Sequence, residues 1–264
     1  MRVCVLVKEV PDATARKQLD PLTGRLDRGG ERTPNPYDAY AIEAALRLRE
    51  GGLAEVKEVV AVTMGPPSAA RTLHKAVSLG ADRSVHLCDE AFAGSDLLGS
   101  GLALAAALAR EQPDLVLLGQ QSSDGECCAL APIVAEYLGM ACVTQVVAIE
   151  PIGGMLRCRR QGDYGYDTIE LELPAVIAVS ETIGEPRYPS LKAIMAARGR
   201  PFATMTAADL GIAAERVGAG AARARWRSAK EPPRRPAPEM IEDSDSDATV
   251  ARILAWLEER GVIT

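Results

Sequence analysis

The stretch from Asp114 to Pro132, Asp-Leu-Val-Leu-Leu-Gly-Gln-Gln-Ser-Ser-Asp-Gly-Glu-Cys-Cys-Ala-Leu-Ala-Pro, concentrates groups suited to holding an anion. Leu115 to Leu118 is an apolar run of strand length that stops at Gly119. Small and polar residues follow, and a helical pattern begins near Cys127. A strand, a loop and a helix in that order bring the free N–H groups of the helix's first turn to the carboxyl edge of a sheet. Phosphate binds at such an edge through amides and the helix dipole. Gly119 and Gly125 permit close approach or unusual backbone angles. Asp124 would repel phosphate, so it reads as the helix cap or as an acceptor from a hydroxyl. Lys8 to Ala13 and Thr63 to Pro66 end apolar runs in the same way. These three loops suit either a nucleotide-sized anion or a purely structural edge.

Bond-making chemistry is poorly supplied. General acid–base or nucleophilic catalysis needs a positioned His, Cys or carboxylate pair. His74 falls in a helical pattern and His86 in a strand pattern, where structural roles are expected. There is no His-Glu-x-x-His pair, no Gly-x-Ser-x-Gly elbow, no Walker-type loop, and no Gly-x-Gly-x-x-Gly after the first strand. Cys4, Cys88, Cys127, Cys128, Cys142 and Cys158 include no Cys-x-x-Cys spacing. Adjacent Cys127 and Cys128 do not suit a tetrahedral metal, so reduced and mostly buried thiols are expected. Neither a catalytic residue nor a metal site is assigned.

The elements that position the three loops follow from hydrophobic periodicity. Val3 to Val7 is a continuous apolar run, as a central parallel strand requires, and Pro11 is expected to stop pairing. Lys17 to Gly30 is turn-rich, a loop or short ribbon. Asn35 or Asp38 caps a helix that ends at Gly51-Gly52. Strands are predicted over 58–64, 84–88 and 115–118, with helices over 68–79, from Asp96 to about Arg110, and up to Leu138-Gly139. Four strand–helix units imply an α/β fold with a doubly wound, mostly parallel three-layer sheet. Residues from about 144 to 173 alternate and break at Gly153-Gly154 and Gly162 to Gly165, the pattern of a small antiparallel excursion. Pro174 to Val179 then returns to the core sheet.

The chain has 264 residues, 47% hydrophobic and 25% charged, enough for a sizeable core. A formal net charge of −6 disfavours broad nucleic-acid binding. Met1 to Lys8 is too short for a signal peptide and no apolar run reaches membrane-spanning length, so a cytoplasmic protein without membrane insertion is expected.

After Glu185-Pro-Arg-Tyr-Pro189, a short helix from Ser190 to Ala197 carries Leu191, Ile194 and Met195. An apolar anchor ringed by Arg187, Arg198 and Arg200 has the design of a docking knob, and equally of a helix packed on the body. From Arg223 to Arg235 a basic, proline-rich arm leads to an amphipathic helix, Asp247 to Arg260. The expected organisation is a nucleotide-binding domain over 1–198, with a recognition segment at 185–198. An arm and helix over 199–264 would wrap a partner subunit or pack on their own domain.

Several of these segments resemble the electron-transfer flavoprotein β-subunit family, which includes nitrogen-fixation-associated and electron-bifurcating members. They are Val7-Lys8 with Pro11-Asp12, Asn35-Pro36, Ala61 to Pro66, Leu79 to Arg83, Asp114 to Gln121 and Asp124-Gly125. The most specific are Leu173-Pro-Ala-Val176, Pro186-Arg-Tyr188, Leu191 and Ile194-Met195. The resemblance covers nearly the whole chain. It implies a fold of the adenine nucleotide α-hydrolase type and a heterodimer whose α subunit carries a redox-active FAD. The β subunit would bury AMP, or a second FAD in bifurcating relatives. Carried across, the nucleotide contacts fall on Leu6, Asn35, Met64 and the loop Ser122 to Leu130, with Asp124, Gly125, Cys127, Cys128 and Ala129 within it. Leu191 matches the family's recognition leucine, which docks on an acyl-CoA dehydrogenase or another flavoprotein donor; a quinone oxidoreductase is the expected acceptor. Cys128-Ala129-Leu130 departs from the family's polar Gln or Asn–Gln–Thr, leaving backbone donors there. The role implied is electron transfer without bond-making catalysis by this chain. The alternative is a stand-alone adenine-nucleotide sensor or hydrolase-like protein of the same fold.

Overall fold

The computed structural model describes every residue except 13, 15, 16, 21–23, 52–54, 225–232, 234–236, 239, 242–244 and 264. Most of the basic arm expected between Arg223 and Arg235 therefore lies outside the described residues. Two compact units make up the chain, Met1–Ser228 and Ala229–Thr264.

In the first unit β1 (Arg2–Leu6) is followed by a short antiparallel ribbon of β2 (Glu9–Pro11) and β3 (Arg32–Pro34). Strand pairing stops at Pro11, as expected. It is the last residue of β2 and lies opposite Arg32, a strand end where a missing N–H costs no ladder bond. Next come α1 (Pro36–Glu50), β4 (Glu58–Met64), α2 (Ala70–Leu79), β5 (Arg83–Leu87), α3 (Leu97–Glu111) and β6 (Leu115–Gly119). Then follow α4 (Leu130–Leu138), β7 (Ala141–Ile152), β8 (Met155–Gly162), β9 (Gly165–Glu172) and β10 (Ala175–Val179). The unit closes with α5 (Leu191–Arg198), β11 (Ala203–Met205) and α6 (Gly218–Ala221).

Nine strands form one sheet in the order β11-β5-β4-β1-β6-β10-β7-β8-β9. Every pairing from β11 to β7 is parallel, and β7-β8-β9 is an antiparallel meander on the far edge. Residue parity assigns the two faces. Val3, Val5, Val59, Ala61, Leu115, Leu117 and Ile177 pack with Ile42, Ala45 and Leu46 of α1 and Leu73 and Ala76 of α2. Cys4, Leu6, Val60, Val62, Val116, Leu118 and Val176 pack with Leu104 and Leu108 of α3 and Val134 of α4 on the other face. Strands buried on both faces read as continuous apolar runs for this reason. Each fully buried Leu or Val side chain contributes about 1.5–3 kcal/mol relative to exposure.

The meander begins earlier than the alternation implies. β7 starts at Ala141, where its first half pairs in parallel with β10, and only its second half turns outward to β8. A bulge at Gln145, with φ of +58°, separates the two halves. Its amide donates to Gln120 Oε1 at 2.7 Å. The boundary expected at residue 198 falls inside the first unit, because β11 pairs in parallel with β5.

In the second unit α7 (Ser246–Glu259) starts at Asp245, whose side chain accepts from the Asp247 amide. Val250, Ile253, Leu254 and Trp256 stand 44–53% exposed along it. No helix among the described residues is long and apolar enough to cross a membrane.

Candidate functional site

The strand order reverses at β1. From there the chain builds outward through β4 and β5, then returns to place β6 on β1's other side. The crevice between the carboxyl ends of β1 and β6 is therefore a topological switch point, where open α/β sheets bind ligands. Lys8 and the loop after Gly119 meet there.

Three side chains close that junction. Lys8 Nζ donates to Asp124 Oδ1 at 2.7 Å and to Ser122 Oγ at 3.2 Å. Arg28 reaches Asp124 Oδ2 at 2.7 Å, from a turn 96 residues earlier in the chain. Asn35 Nδ2 donates to Gln121 O at 3.0 Å, while its Oδ1 accepts from the Ser123 amide at 3.1 Å. Lys17 Nζ adds a bond to Ser123 O at 2.8 Å. The loop 121–124 is thus held from residues more than 80 positions away.

Asp124 does not cap α4. Its side chain is 1% exposed and pairs with two half-exposed cations. Burial alone would raise its pKa, but the Lys8 ammonium, with hydrogen bonds from Lys8, Arg28 and Ser122, outweighs it and holds the carboxyl at about 2. A depressed pKa contributes stability above the unfolded value near 3.9, and that contribution is lost as pH falls through about 2. Solvent screening at the cations leaves on the order of 1 kcal/mol. An acid titration of thermal stability is expected to show a component between pH 4 and pH 2 that is missing in Asp124→Asn.

With Asp124 engaged elsewhere, α4 starts later than the pattern suggests. Its N-cap is Ala129, which has no side-chain hydrogen bond to offer, so the amides of Leu130 and Ala131 are uncapped by any side chain. Gly119 permits a close approach, as expected, whereas Gly125 serves neither a close approach nor an unusual backbone angle. A Cβ at Gly119 would lie 2.7 Å from the Tyr37 carbonyl carbon, so this glycine admits the first turn of α1. Gly125 has only ordinary neighbours, and the positive φ angles fall on Glu126 (+48°) and Cys128 (+52°). Non-glycine residues adopt that region at a cost, and such strain clusters at functional sites. Cys127 and Cys128 are exposed, contrary to the expectation of mostly buried thiols; Cys4 and Cys158 are buried.

Asp38 is the site residue that sequence reasoning missed. Asn35 is the helix N-cap by position, but its side chain is turned to the loop and makes no cap bond. Asp38, two residues into α1, accepts from Asn35 Nδ2 at 2.7 Å, from the Lys8 amide at 2.7 Å and from the Gly119 amide. One buried carboxyl thus orders the ends of β1 and β6 and the start of α1. Burial raises its pKa to about 7 despite these donors. The sequence offers Asp38 only as an alternative helix cap; Asn35 takes the cap position and Asp38 lies inside the first turn, where an acid also reads as dipole compensation. Arg28 gave no signal, because nothing local links a turn-rich loop to residue 124.

Leu6 and Met64 close the carboxyl ends of adjacent strands β1 and β4 and lie in the same apolar cluster. Leu6, Asn35, Met64 and Ser122 to Leu130 are therefore arranged along three neighbouring strand ends. The donor set fits a phosphate-bearing nucleotide: uncapped amides, the Ser122 and Ser123 hydroxyls and the Lys8, Arg28 and Lys17 cations, beside an apolar wall. A separate groove of 320 Å³, lined by Glu43, Ala44, Leu48, Val147, Ile149 and Ile183, includes none of these residues.

The docking candidates sit elsewhere. Ser190 caps α5, accepting from the Ala193 amide. Buried Ala197 faces α2, and its carbonyl meets His74 Nδ1 at 2.9 Å. Leu191 (74%), Met195 (67%) and neighbouring Tyr188 (90%) are exposed, while Ile194 is half-buried. Packing on the body therefore does not account for Leu191. Arg187 points back to the body: its guanidinium spans Glu43 at 2.7 Å and Glu50 at 2.6 Å on α1. Burial would raise the Glu43 pKa, but hydrogen bonds from Arg187 and Arg47 hold it below the usual range. Arg187→Ala is expected to lower stability by about 1 kcal/mol and to accelerate proteolysis within 185–190, because it unfastens this segment from α1.

A family model described as "Electron transfer flavoprotein domain" matches residues 23–210. Electron transfer flavoprotein subunit beta of Mycobacterium tuberculosis is 38% identical over 245 residues, covering 91% of this chain and 92% of its own. The protein of the same name from Syntrophomonas wolfei is 38% identical over 209 residues, 79% of this chain and 81% of its own. Caffeyl-CoA reductase-Etf complex subunit CarD of Acetobacterium woodii is 33% identical over 265 residues and the full length of both. The fold is a mixed α/β one with a large, mostly parallel sheet whose strand order reverses at β1. The chain belongs to the electron transfer flavoprotein β-subunit family, and membership supports a role in electron transfer.

Proposed function

We propose that this chain is the β subunit of a heterodimeric electron-transfer flavoprotein. It scaffolds FAD-mediated transfer between a flavoprotein dehydrogenase and a downstream acceptor such as a quinone oxidoreductase. The observation that carries the reading is the junction in which Lys8 and Asn35 hold residues 121–124 at the switch point, with exposed Leu191 on a separate helix. A nucleotide site and a docking knob on one chain suit a carrier subunit better than a catalyst.

In this reading the crevice takes AMP, or the AMP half of a second FAD. Leu6 and Met64 form the apolar wall for the base, and Asn35 holds the loop. Ser122, Gly125, Cys127, Cys128, Ala129 and Leu130 offer hydroxyl and backbone donors to the phosphate, while Asp124 restrains Lys8 and Arg28. FAD, when bound, supplies one- and two-electron chemistry. The residues of this chain bind, orient and exclude water. Leu191, Ile194 and Met195 meet the donor, an acyl-CoA dehydrogenase or a related flavoprotein, and Arg187 sets the angle of their helix. The fold is read as the adenine nucleotide α-hydrolase type, and the α subunit's mobile FAD domain as moving against it. The C-terminal arm and α7, whose apolar stripe is exposed, are assigned to wrapping that subunit, and the protein to the cytoplasm.

Purification with the natural companion chain tests this directly. A yellow complex with a flavin spectrum and one extractable adenine nucleotide per β chain is the expected result. A colourless monomer that binds ATP without any flavoprotein companion would establish the stand-alone sensor instead.

A further inference from the structure

Cys127 and Cys128 are neighbours in sequence and both exposed, at the start of the helix that the proposed nucleotide site uses. The other four thiols differ. Cys4 and Cys158 are fully buried, and burial pushes both to about 12; Cys88 and Cys142 are half-buried. Thiolates react and buried thiols are inert, so oxidation is directed to this pair.

The backbone here is already out of the ordinary. Glu126 and Cys128 both have positive φ. Cys127 Sγ lies 3.3 Å from Gly125 O, and Cys128 Sγ lies 3.0 Å from Gln121 Oε1. Neither thiol is packed into a core, and both are held only by weak S–H donations that an oxidation can replace. Consecutive Cα atoms are about 3.8 Å apart, shorter than the usual disulfide span of about 4.4–6.8 Å. A bond between adjacent cysteines is therefore strained and easily reduced, the property of a labile disulfide rather than a structural one.

We propose that Cys127 and Cys128 form a reversible modification site, closing to a vicinal disulfide under peroxide and reopening with thiol reductants. One thiolate attacks a peroxide oxygen, the O–O bond breaks and water leaves, giving a sulfenic acid. The neighbouring thiol then displaces the hydroxyl as a second water and the S–S bond forms. Two thiols and one hydrogen peroxide give one disulfide and two waters; sulfur is oxidised and peroxide reduced. Closure removes the Cys128 donation to Gln121 and redirects the chain immediately before Leu130. Gln121 and Ser123 are the residues that Asn35 holds, so closure acts on the loop at both ends. If the nucleotide reading is correct, the oxidised loop also holds its nucleotide less well.

The full chain, in complex with its companion, is treated with equimolar hydrogen peroxide, alkylated and digested, with and without later reduction by dithiothreitol. The expected peptide spanning both cysteines is lighter by two hydrogens, carries no alkyl group, and regains two alkyl groups after reduction. Cys127→Ser and Cys128→Ser are each expected to abolish the mass loss and to leave the remaining thiol as sulfenic or sulfinic acid. Persistence of both alkylated thiols, independent over-oxidation of each in the unsubstituted chain, or a disulfide to Cys88 or Cys142 would overturn the proposal. Nucleotide release is read separately in the same samples. A disulfide in a chain that carries no nucleotide before or after oxidation sustains this site and counts only against the nucleotide reading; a disulfide with its nucleotide fully retained sustains the site and removes only its effect on the loop.

Discussion

Leu191→Ala is expected to lower kcat/KM for reduction by the flavoprotein donor by about thirtyfold, leaving flavin content and thermal stability unchanged. The side chain is 74% exposed, so its loss opens no cavity in this chain. An apolar anchor that enters a partner's pocket is worth about 2 kcal/mol or more, which at 1.4 kcal/mol per decade gives that factor. Leu191 and Met195 lie four residues apart on one face of α5, and Tyr188 stands beside its start. Met195→Ala is therefore expected to act in the same direction but less, because methionine adapts to a partner by changing rotamer. Stopped-flow reduction of the complex by its dehydrogenase measures both. A Leu191→Ala rate within twofold of the unsubstituted protein would remove the docking assignment.

The second large effect is expected at Asp38. Its carboxyl accepts from Asn35, from the Lys8 amide and from the Gly119 amide, and burial raises its pKa from 3.8 to about 7. The folded chain keeps a proton there that the unfolded chain releases. The stability this group contributes is therefore fully present below about pH 4 and lost as pH rises to about 7, on the order of 3–4 kcal/mol. Its positioning role runs the other way. The ionised form accepts from all three donors, whereas the protonated form presents a hydroxyl to one of them. Nucleotide retention is therefore expected to rise between pH 6 and pH 8. Asp38→Asn places an amide NH₂ against Asn35 or a backbone N–H. One unmet buried donor costs about 1–3 kcal/mol, which corresponds to a roughly five- to 150-fold loss of nucleotide affinity. The variant is expected to be at least as heat-stable at pH 8 and to lose the pH dependence of retention. Equilibrium dialysis with AMP at pH 6 and pH 8 tests this, and unchanged retention in Asp38→Asn at pH 8 would rule the role out.

Strain in the loop connects these expectations. Two non-glycine residues with positive φ, Glu126 and Cys128, flank Cys127, and α4 starts without a side-chain cap. A loop optimised for stability alone would place glycine at such positions and Ser, Thr or Asp at the cap. Asp124 is present but faces Lys8 and Arg28 instead. The local rules are broken where the ligand is proposed to bind, which is where departures from them are expected.

The sequence alone determined whatever depends on neighbours along the chain. Apolar runs at 3–7, 58–64 and 115–118 declared buried parallel strands, since a strand covered on both faces has no polar side to show. Glycines after the helices and Asp96 before α3 marked helix ends, because caps act within one turn. The breaks at Gly153-Gly154 and between Gly162 and Gly165 declared the meander. Where contact is long-range, only the tertiary structure decided. The sequence pattern starts β7 too late because its first residues, Ala141 and Cys142, are short and not fully buried, and their strand character comes from pairing with β10. Arg187 looked like part of an exposed ring until α1 supplied Glu43 and Glu50. Asp124 reads as a cap or as an acceptor from a hydroxyl; the Ser122 hydroxyl bears out the second, and folding adds Lys8 and Arg28 across 116 and 96 residues. Hydrophobic patterning is a local signal, whereas a charge's partner is chosen by topology, and topology is what the folded sheet adds.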